Sequence, residues 1–422
     1  MGKVWIQNKQ QLSKTSARAK VLEIIEAGYN AIDTECVVKA SVKLDGSILT
    51  IKSQSFDLTD FKNVYVLGFG KASAKAALAL ESILGDHITD GIVVSIKTAD
   101  TKRIRTYVGT HPLPSYQNVE VAERMQELIA KIAEKDLVIS LASGGGSALL
   151  CWTKEECDQG IRLYQNYLKT GEDIKGLNTV RKHISLVKGG GLAKILHPAT
   201  VVSLIFSDVA GDNYHFVDSG PTYKDTSTIA DAKSIIDQYS LGEYDLLETP
   251  KENKYFEKVH NIPVVSNVLA LETMAAKVQE MGLSAKIISA ELFDTSDNTL
   301  KRFAENAQSG TVLLGGSEIK LVVGNHPGLG GRNTYLALKA LQHITDRDIF
   351  AAVASDGIDN SEAAGAIVDR VLTEYIKTSK LNPQAYLDNF DSYTFFEKLG
   401  DALVVTGPTE ANVSDFVLLY RE

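Results

Sequence analysis

Blocks of positive charge are missing from this chain. Lys and Arg number 44 against 53 Asp and Glu, giving a net charge of −9 at pH 7. Phosphate backbones are bound through Lys/Arg surfaces, so the composition argues against a nucleic-acid partner while leaving room for a local basic pocket. Cysteine is scarce. Cys36, Cys151 and Cys157 supply neither a zinc-ligand spacing nor a disulfide framework, and they read as plain thiols of a reducing compartment. No apolar run reaches the roughly 18 residues that span a bilayer. The start, MGKVWIQNKQQLSK, lacks the apolar region of a secretory signal, and Ile6 stands where a myristoylation pattern wants Ser or Thr. The expectation is a cytoplasmic globular protein with no membrane partner.

What is present is a long α/β pattern. The 422 residues, 44% of them hydrophobic, suffice for two or three domains. NVYVLG, GIVVSI, DLVISLA and TVVSLIF are apolar nearly throughout, as buried parallel strands are. Helical spacing fills the intervals between them, which argues for a parallel sheet covered on both faces. The polar stretch LETPKENKYFEKVHNIP (247–263) breaks the pattern. A boundary is therefore drawn between an N-terminal domain, residues 1–250, and a C-terminal α/β domain, residues 251–422. In the latter, TVLL and EIKLVV around Gly315-Gly316 suggest a hairpin.

Ligands of open parallel sheets bind at the carboxyl ends of strands, and four strand ends carry unusual residues. Gly68-Phe69-Gly70-Lys71 lies between a strand and a helix; the glycines allow a tight turn and a helix start favours an anion. Ser73 stands where a dinucleotide fingerprint has its third glycine. LASGGGSALL places Ser143, Gly144, Gly145, Gly146 and Ser147 after a second strand. Consecutive N–H groups and hydroxyls there can cradle phosphate oxygens. It is neither a Walker A loop nor a G-x-S-x-G elbow. A third region, TVRKHISLVKGGG followed by IFSDVAGDNYHFVDSGPT, combines Arg181, Lys182 and Lys188 with Asp208 and Asp212, a pair able to hold Mg²⁺ beside a phosphate. The fourth, GLGGRN, sets Arg332 and Asn333 at a helix start, where a guanidinium fork suits a carboxylate or phosphate. SDGIDN follows with Asp356 and Asp359.

Taken together, FGKAS, THPLP, SGGGSALL, LNTVRKHISLVKGG, SDVAGDN, SGPT, GLGGRN and SDGIDNSEAAGAIVD resemble the class II glycerate kinases, with their MOFRL-type C-terminal region. The motifs run in the family's order from about residue 15 to 420. The resemblance implies a larger Rossmann-like parallel-sheet domain and a smaller C-terminal α/β domain with an active-site cleft between them. It implies ATP-dependent phosphorylation of D-glycerate to 2-phosphoglycerate, with Lys71 and Arg332 at the family's active-site lysine and arginine. On this reading Gly68, Gly70, Ser143 to Ser147, Asn178, Lys182 and Lys188 contact ATP, and Asp208 and Asp212 hold Mg²⁺. His111, Arg332, Asn333 and Asp359 meet the acceptor, and Asp356 contacts or deprotonates its 2-hydroxyl. His183 reads as structural. The chain departs from the family where Thr334-Tyr335 follow Arg332-Asn333, where Ser317 replaces a glutamate that comes one position later, and at Ser115. The acceptor stays open to related hydroxy acids. An NAD(P)-dependent hydroxypyruvate reductase, resting on Gly68-x-Gly70 alone, and a non-catalytic nucleotide or hydroxy-acid binder are the rival readings. A homodimer is allowed without being required.

Overall fold

Strands that are apolar on both faces must be covered on both faces, and the computed structural model follows that rule. It describes residues 3–168, 170, 174–208, 213–321, 323, 327–379, 381–409, 411 and 413–422. By packing, the chain divides into two units: Val37–Ser207 with Asn213–Val264, and residues up to Cys36 with Asp208 and Val265–Glu422.

The first unit opens with a small antiparallel sheet of β1 (Val42–Asp45), β2 (Ile48–Ile51) and β3 (Gln54–Asp57). Its main sheet holds β4 (Asn63–Phe69), β5 (Asp90–Ser95), β6 (Ile104–Val108), β7 (Asp136–Ser143), β8 (Thr200–Phe206) and β9 (Val259–Val265). Their order is β6-β5-β4-β7-β8-β9, with every pair from β6 to β8 parallel. All eight residues of β7 are buried. The order reverses between β4 and β7: the chain moves outward from β4 through β5 to β6, then returns to β4's other side. The loops after β4 and β7 therefore leave the sheet side by side at a topological switch point.

The second unit contains β10 (Ser284–Leu292), β11 (Thr311–Ser317), β12 (Asp348–Ala354), β13 (Gly365–Val368), β14 (Leu403–Val404) and β15 (Asp415–Arg421). The order is β10-β11-β15-β12-β13-β14. Only β10 and β11 pair in parallel; the other neighbours are antiparallel. The hairpin expected around Gly315-Gly316 is not formed. Both glycines sit inside β11, paired with Val417 and Phe416 of β15. Their role is close approach: a Cβ at residue 316 would lie 2.2 Å from the Asn267 side chain, and one at residue 315 would lie 2.6 Å from Leu292.

The helix Ser16–Ile32 belongs to this second unit, whereas the boundary read from composition groups it with residues up to 250. Thr15 caps it by accepting from the Arg18 N–H. Arg18 is fully buried and donates to both carboxylate oxygens of Asp369, at 2.7 and 3.1 Å, and to the Asp401 carbonyl. Tyr29 donates to the Ala354 carbonyl. Gly28 lets the helix close on Met274, since a Cβ there would lie 2.8 Å from its sulfur. No helix among the described residues is long and apolar enough to cross a membrane.

Candidate active site

The switch point is built from backbone contacts that only glycine permits. Gly70 has φ 119°, and a Cβ there would lie 1.9 Å from the Ser143 carbonyl oxygen. The Ser143 hydroxyl accepts from the Ala72 N–H at 3.0 Å and lies 3.1 Å from the Ser73 hydroxyl. Ser73, in the place of a third fingerprint glycine, donates to the Leu141 carbonyl and so ties the two loops together. Gly68 is inside β4 against Val93, so the Gly68-x-Gly70 pair does not form one open turn.

Lys71 follows Gly70. Its backbone is pinned by Gly144 and Ser95, while its side chain is half-buried. Among the described residues no carboxylate stands within ion-pair distance of its ammonium group. Gly145 faces this lysine: with φ 92° it adopts a backbone that favours glycine, and a Cβ would meet His111 at 2.9 Å and Lys71 Cγ at 3.2 Å. Gly146 is equally tight against the Asp218 carboxylate. The turn from Gly144 to Ser147 thus runs past Lys71, His111 and Asp218. Partial burial, with the charges of Lys71 and Arg181, holds the His111 imidazole below its ordinary value. Such a concentration of positive charge around a partly accessible glycine turn suits an anion.

Asn178 belongs to this wall. It is buried and accepts from the Ser219 hydroxyl at 3.2 Å and from Arg181 at 3.3 Å, and Ser219 reaches Ser147 at 3.0 Å. Lys182 and Lys188 are ion-paired within the unit. Lys182 is buried against Asp225 at 2.9 Å, whose carboxyl, despite its burial, is held below the usual range by Ser227 and Lys182. Lys188 is buried against Glu156 and the Leu150 carbonyl. Both ammonium groups are engaged by buried carboxylates. His183 is also internal, bonded to the Leu247 carbonyl and the Ser227 hydroxyl. Asp208 is half-buried just beyond the end of β8, and Asp212 lies outside the described residues.

In the second unit, strands β11 and β12 end opposite the first residue of β15: Ser317 and Ala354 both pair with Asp415. Glu318, Asp356 and Asp415 are gathered at this edge. Arg332, 43% exposed, reaches Asp415 at 3.4 Å and Glu318 at 3.7 Å. Glu318, one residue past the position the family's pattern predicts, is therefore still a neighbour of the arginine. Asp415 is nearly inaccessible; burial pushes its carboxyl up to about 7, against the pull of Arg332 and an Asn333 hydrogen bond. Sequence reasoning missed Asp415. Its only signal is SD before an apolar strand, which becomes meaningful once that strand is known to lie between β11 and β12.

Asp359 has its lone pairs taken. It accepts from the Asn333 and Thr334 N–H groups at 2.9 and 2.7 Å, from the Thr334 hydroxyl at 2.8 Å and from the Asn333 amide at 3.2 Å. It caps the helix Arg332–Ala340 and fixes where Arg332 starts. Asp356 is half-buried and accepts from the Ile358 N–H at 3.0 Å. The structure thus brings Lys71, Gly70, His111, Asn178 and Ser143 to Ser147 together in one unit. In the other it gathers Arg332, Asn333, Asp356 and Asp359.

Residues 20–249 match the family described as a domain of unknown function, DUF4147, and residues 311–415 match the MOFRL family. The D-glycerate 2-kinase of Thermotoga maritima is 33% identical, the alignment covering 96% of this chain and 98% of that protein. The chain belongs to the glycerate kinase family. A crystal structure of a glycerate kinase from Thermotoga maritima superposes with a TM-score of 0.85 at 29% identity, covering 96% of this chain and all of that one. A relative from Agrobacterium vitis, 35% identical over 83% of this chain and 85% of its own length, is named provisionally as a hydroxypyruvate reductase. Within the glycerate kinase family, the departure at Thr334 has a local reason: its hydroxyl bonds Asp359, the Gly331 N–H and Ser392, so the threonine completes the cap. Tyr335, at the second departure, stacks on Phe390 with ring centroids 5.6 Å apart.

Proposed function

We propose that this glycerate kinase family member transfers the γ-phosphoryl group of ATP to the 2-hydroxyl of D-glycerate, releasing ADP and the hydroxyl proton and yielding 2-phosphoglycerate. The observation that carries this reading is Lys71: a half-buried ammonium group with no carboxylate partner among the described residues, facing a glycine turn at the switch point of a parallel sheet. Phosphoryl transfer needs positioning and charge neutralisation more than covalent chemistry. The turn from Gly144 to Ser147 lends backbone N–H groups to the ATP phosphates. Lys71 neutralises charge on the transferring group, and His111 adds a donor beside it. Gly70 acts by permitting the close approach of the two loops. Arg332 holds the acceptor's carboxylate, with Asn333 and Asp359 fixing its position. Asp356 receives or orients the 2-hydroxyl.

The family's chemistry calls for Mg²⁺ with the nucleotide. Among the described residues no cluster of three or more His, Cys, Asp or Glu side chains is arranged to hold a metal. An ion bound chiefly by phosphates and water needs only one or two carboxylates. Asp208 at the end of β8 suits that role. When bound, the ion would neutralise charge on the nucleotide's phosphates.

The deciding experiment is ATP- and Mg²⁺-dependent phosphorylation of D-glycerate, L-glycerate and four-carbon sugar acids, with product position read by phosphorus NMR. 2-Phosphoglycerate from D-glycerate, and a loss beyond about tenfold (roughly 1.4 kcal/mol in the barrier) in both Lys71→Ala and Arg332→Ala, is the expected result. NADH-dependent reduction of hydroxypyruvate without any phosphorylation would overturn it.

A further inference from the structure

Three cations lie close together along the helix Ile174–His183 and the turn after it, and two of them have a carboxylate. Lys182 is matched by Asp225 and Lys188 by Glu156. Arg181 is matched by none among the described residues. Its partners are Asn178 Oδ1, to which it donates at 3.3 Å, and the Tyr164 ring at 5.8 Å. A guanidinium half-withdrawn from water without a counter-charge is only partly compensated, and a planar fork of N–H donors is suited to an oxyanion that supplies one.

The surroundings say where that oxyanion lies. Arg181 lines a cavity of about 20 Å³ with Ser147, Glu156 and Lys188. A water needs roughly 10–15 Å³, so this space admits a water or one terminal oxygen of a larger ligand and no whole molecule. Lys188 already engages the Glu156 carboxylate that shares the cavity. Arg181 is also joined to the glycine turn by a chain of polar contacts through Asn178 and Ser219 to Ser147, at 3.3, 3.2 and 3.0 Å. Its charge is felt at His111 together with that of Lys71. Burial lowers the guanidinium only to about 10, so it stays charged at neutral pH.

We propose that Arg181 is an oxyanion-binding residue of the nucleotide site, holding a phosphate oxygen of the donor at the Ser147 end of the turn whose Gly145 faces Lys71. The assignment rests on the phosphotransferase reading above. It goes to the donor's phosphates because the polar chain from Arg181 leads to the turn that faces Lys71, while the acceptor's carboxylate is matched by Arg332. Bidentate contact with a phosphate requires the fork, which a lysine lacks.

The test uses the full chain with Arg181→Gln and Arg181→Lys. Both are first checked for wild-type melting temperature without ligand; the lysine variant keeps the charge should the glutamine variant fail to fold. The expected result is a rise of tenfold or more in KM for ATP in Arg181→Gln and a smaller rise in Arg181→Lys. KM for D-glycerate should change by less than about twofold. Thermal stabilisation by ATP, and by inorganic pyrophosphate as a probe of phosphate alone, should shrink in step. Unchanged KM and unchanged stabilisation would overturn the proposal and leave Arg181 structural. A rise confined to KM for the acceptor would move the residue to a carboxylate site and overturn it equally. If wild type phosphorylates no acid but is still stabilised by ATP, the acceptor reading fails alone. The stabilisation data then decide the Arg181 assignment.

Discussion

The lysines of TVRKHISLVKGGG show how little a side chain's charge says about its task until its neighbours are known. Lys182 and Lys188 carry the same charge as Lys71, but each has a buried carboxylate within reach. Asp415 is the converse, a carboxylate whose surroundings leave it barely acidic. Burial raises it to about 7 beside Arg332. A raised carboxyl pKa means that the folded state prefers the proton, so this group's contribution to stability is complete at acid pH and is lost as pH rises through about 7. Asp415→Asn should therefore be more stable than wild type at pH 8, by at least about 1 kcal/mol, with the difference narrowing as pH falls and vanishing only near pH 4, where the unfolded carboxyl also takes its proton, as read by urea unfolding across that range. Above pH 7 the ionised Asp415 also competes for the Arg332 guanidinium. KM for glycerate should accordingly climb between pH 6 and 8 in wild type and stay flat in the variant; parallel pH profiles would remove Asp415 from the site.

At the level of elements, two local devices set the geometry. The Asp359 cap determines where the helix Arg332–Ala340 begins. Asp359→Ala, which strands the Asn333 and Thr334 N–H groups, should cost about 1–2 kcal/mol and lower kcat/KM by tenfold or more, because Arg332 loses its anchor. A variant with wild-type kcat/KM would show that the arginine is placed by its ion pairs alone. Gly70→Ala would drive a methyl group into the Ser143 carbonyl. It should abolish ATP-dependent stabilisation even where circular dichroism shows a folded chain. Much of this was legible beforehand. Continuous apolar runs marked β4, β5, β7 and β8, and glycines at the carboxyl ends of β4 and β7 marked the turns. Composition did not distinguish glycines that turn the chain from Gly315 and Gly316, which let β11 pass close to Asn267 and Leu292. Nor could it show that Asp359 would be taken up by capping, or that Asp415 would arrive beside Arg332 by strand pairing across nearly a hundred residues. Local pattern encodes local geometry, and both of these are products of tertiary packing.

For the whole molecule, the informative contact is that of the helix Ser16–Ile32 with the strands of residues 348–421. Arg18 and Asp369 are both buried, and removing one partner of such a pair leaves a charge without compensation, at about 3–5 kcal/mol. Asp369→Ala should lower stability by that order in denaturant titration, while Arg18→Met with Asp369→Leu should recover most of it. Residues 37–264 should fold when expressed alone, and residues 265–422 should not unless residues 3–36 are supplied in trans or by fusion; a cooperative melt from 265–422 alone would contradict this. The same contact governs the order in which a newly made chain becomes native. The helix leaves the ribosome well before its partners, and its apolar face and Arg18 must wait for Asp369 and β15, several hundred residues later. While residues 37–264 are completing their own sheet, that helix is a sticky, unsatisfied segment, so during synthesis it is where a chaperone would be needed and where aggregation would start.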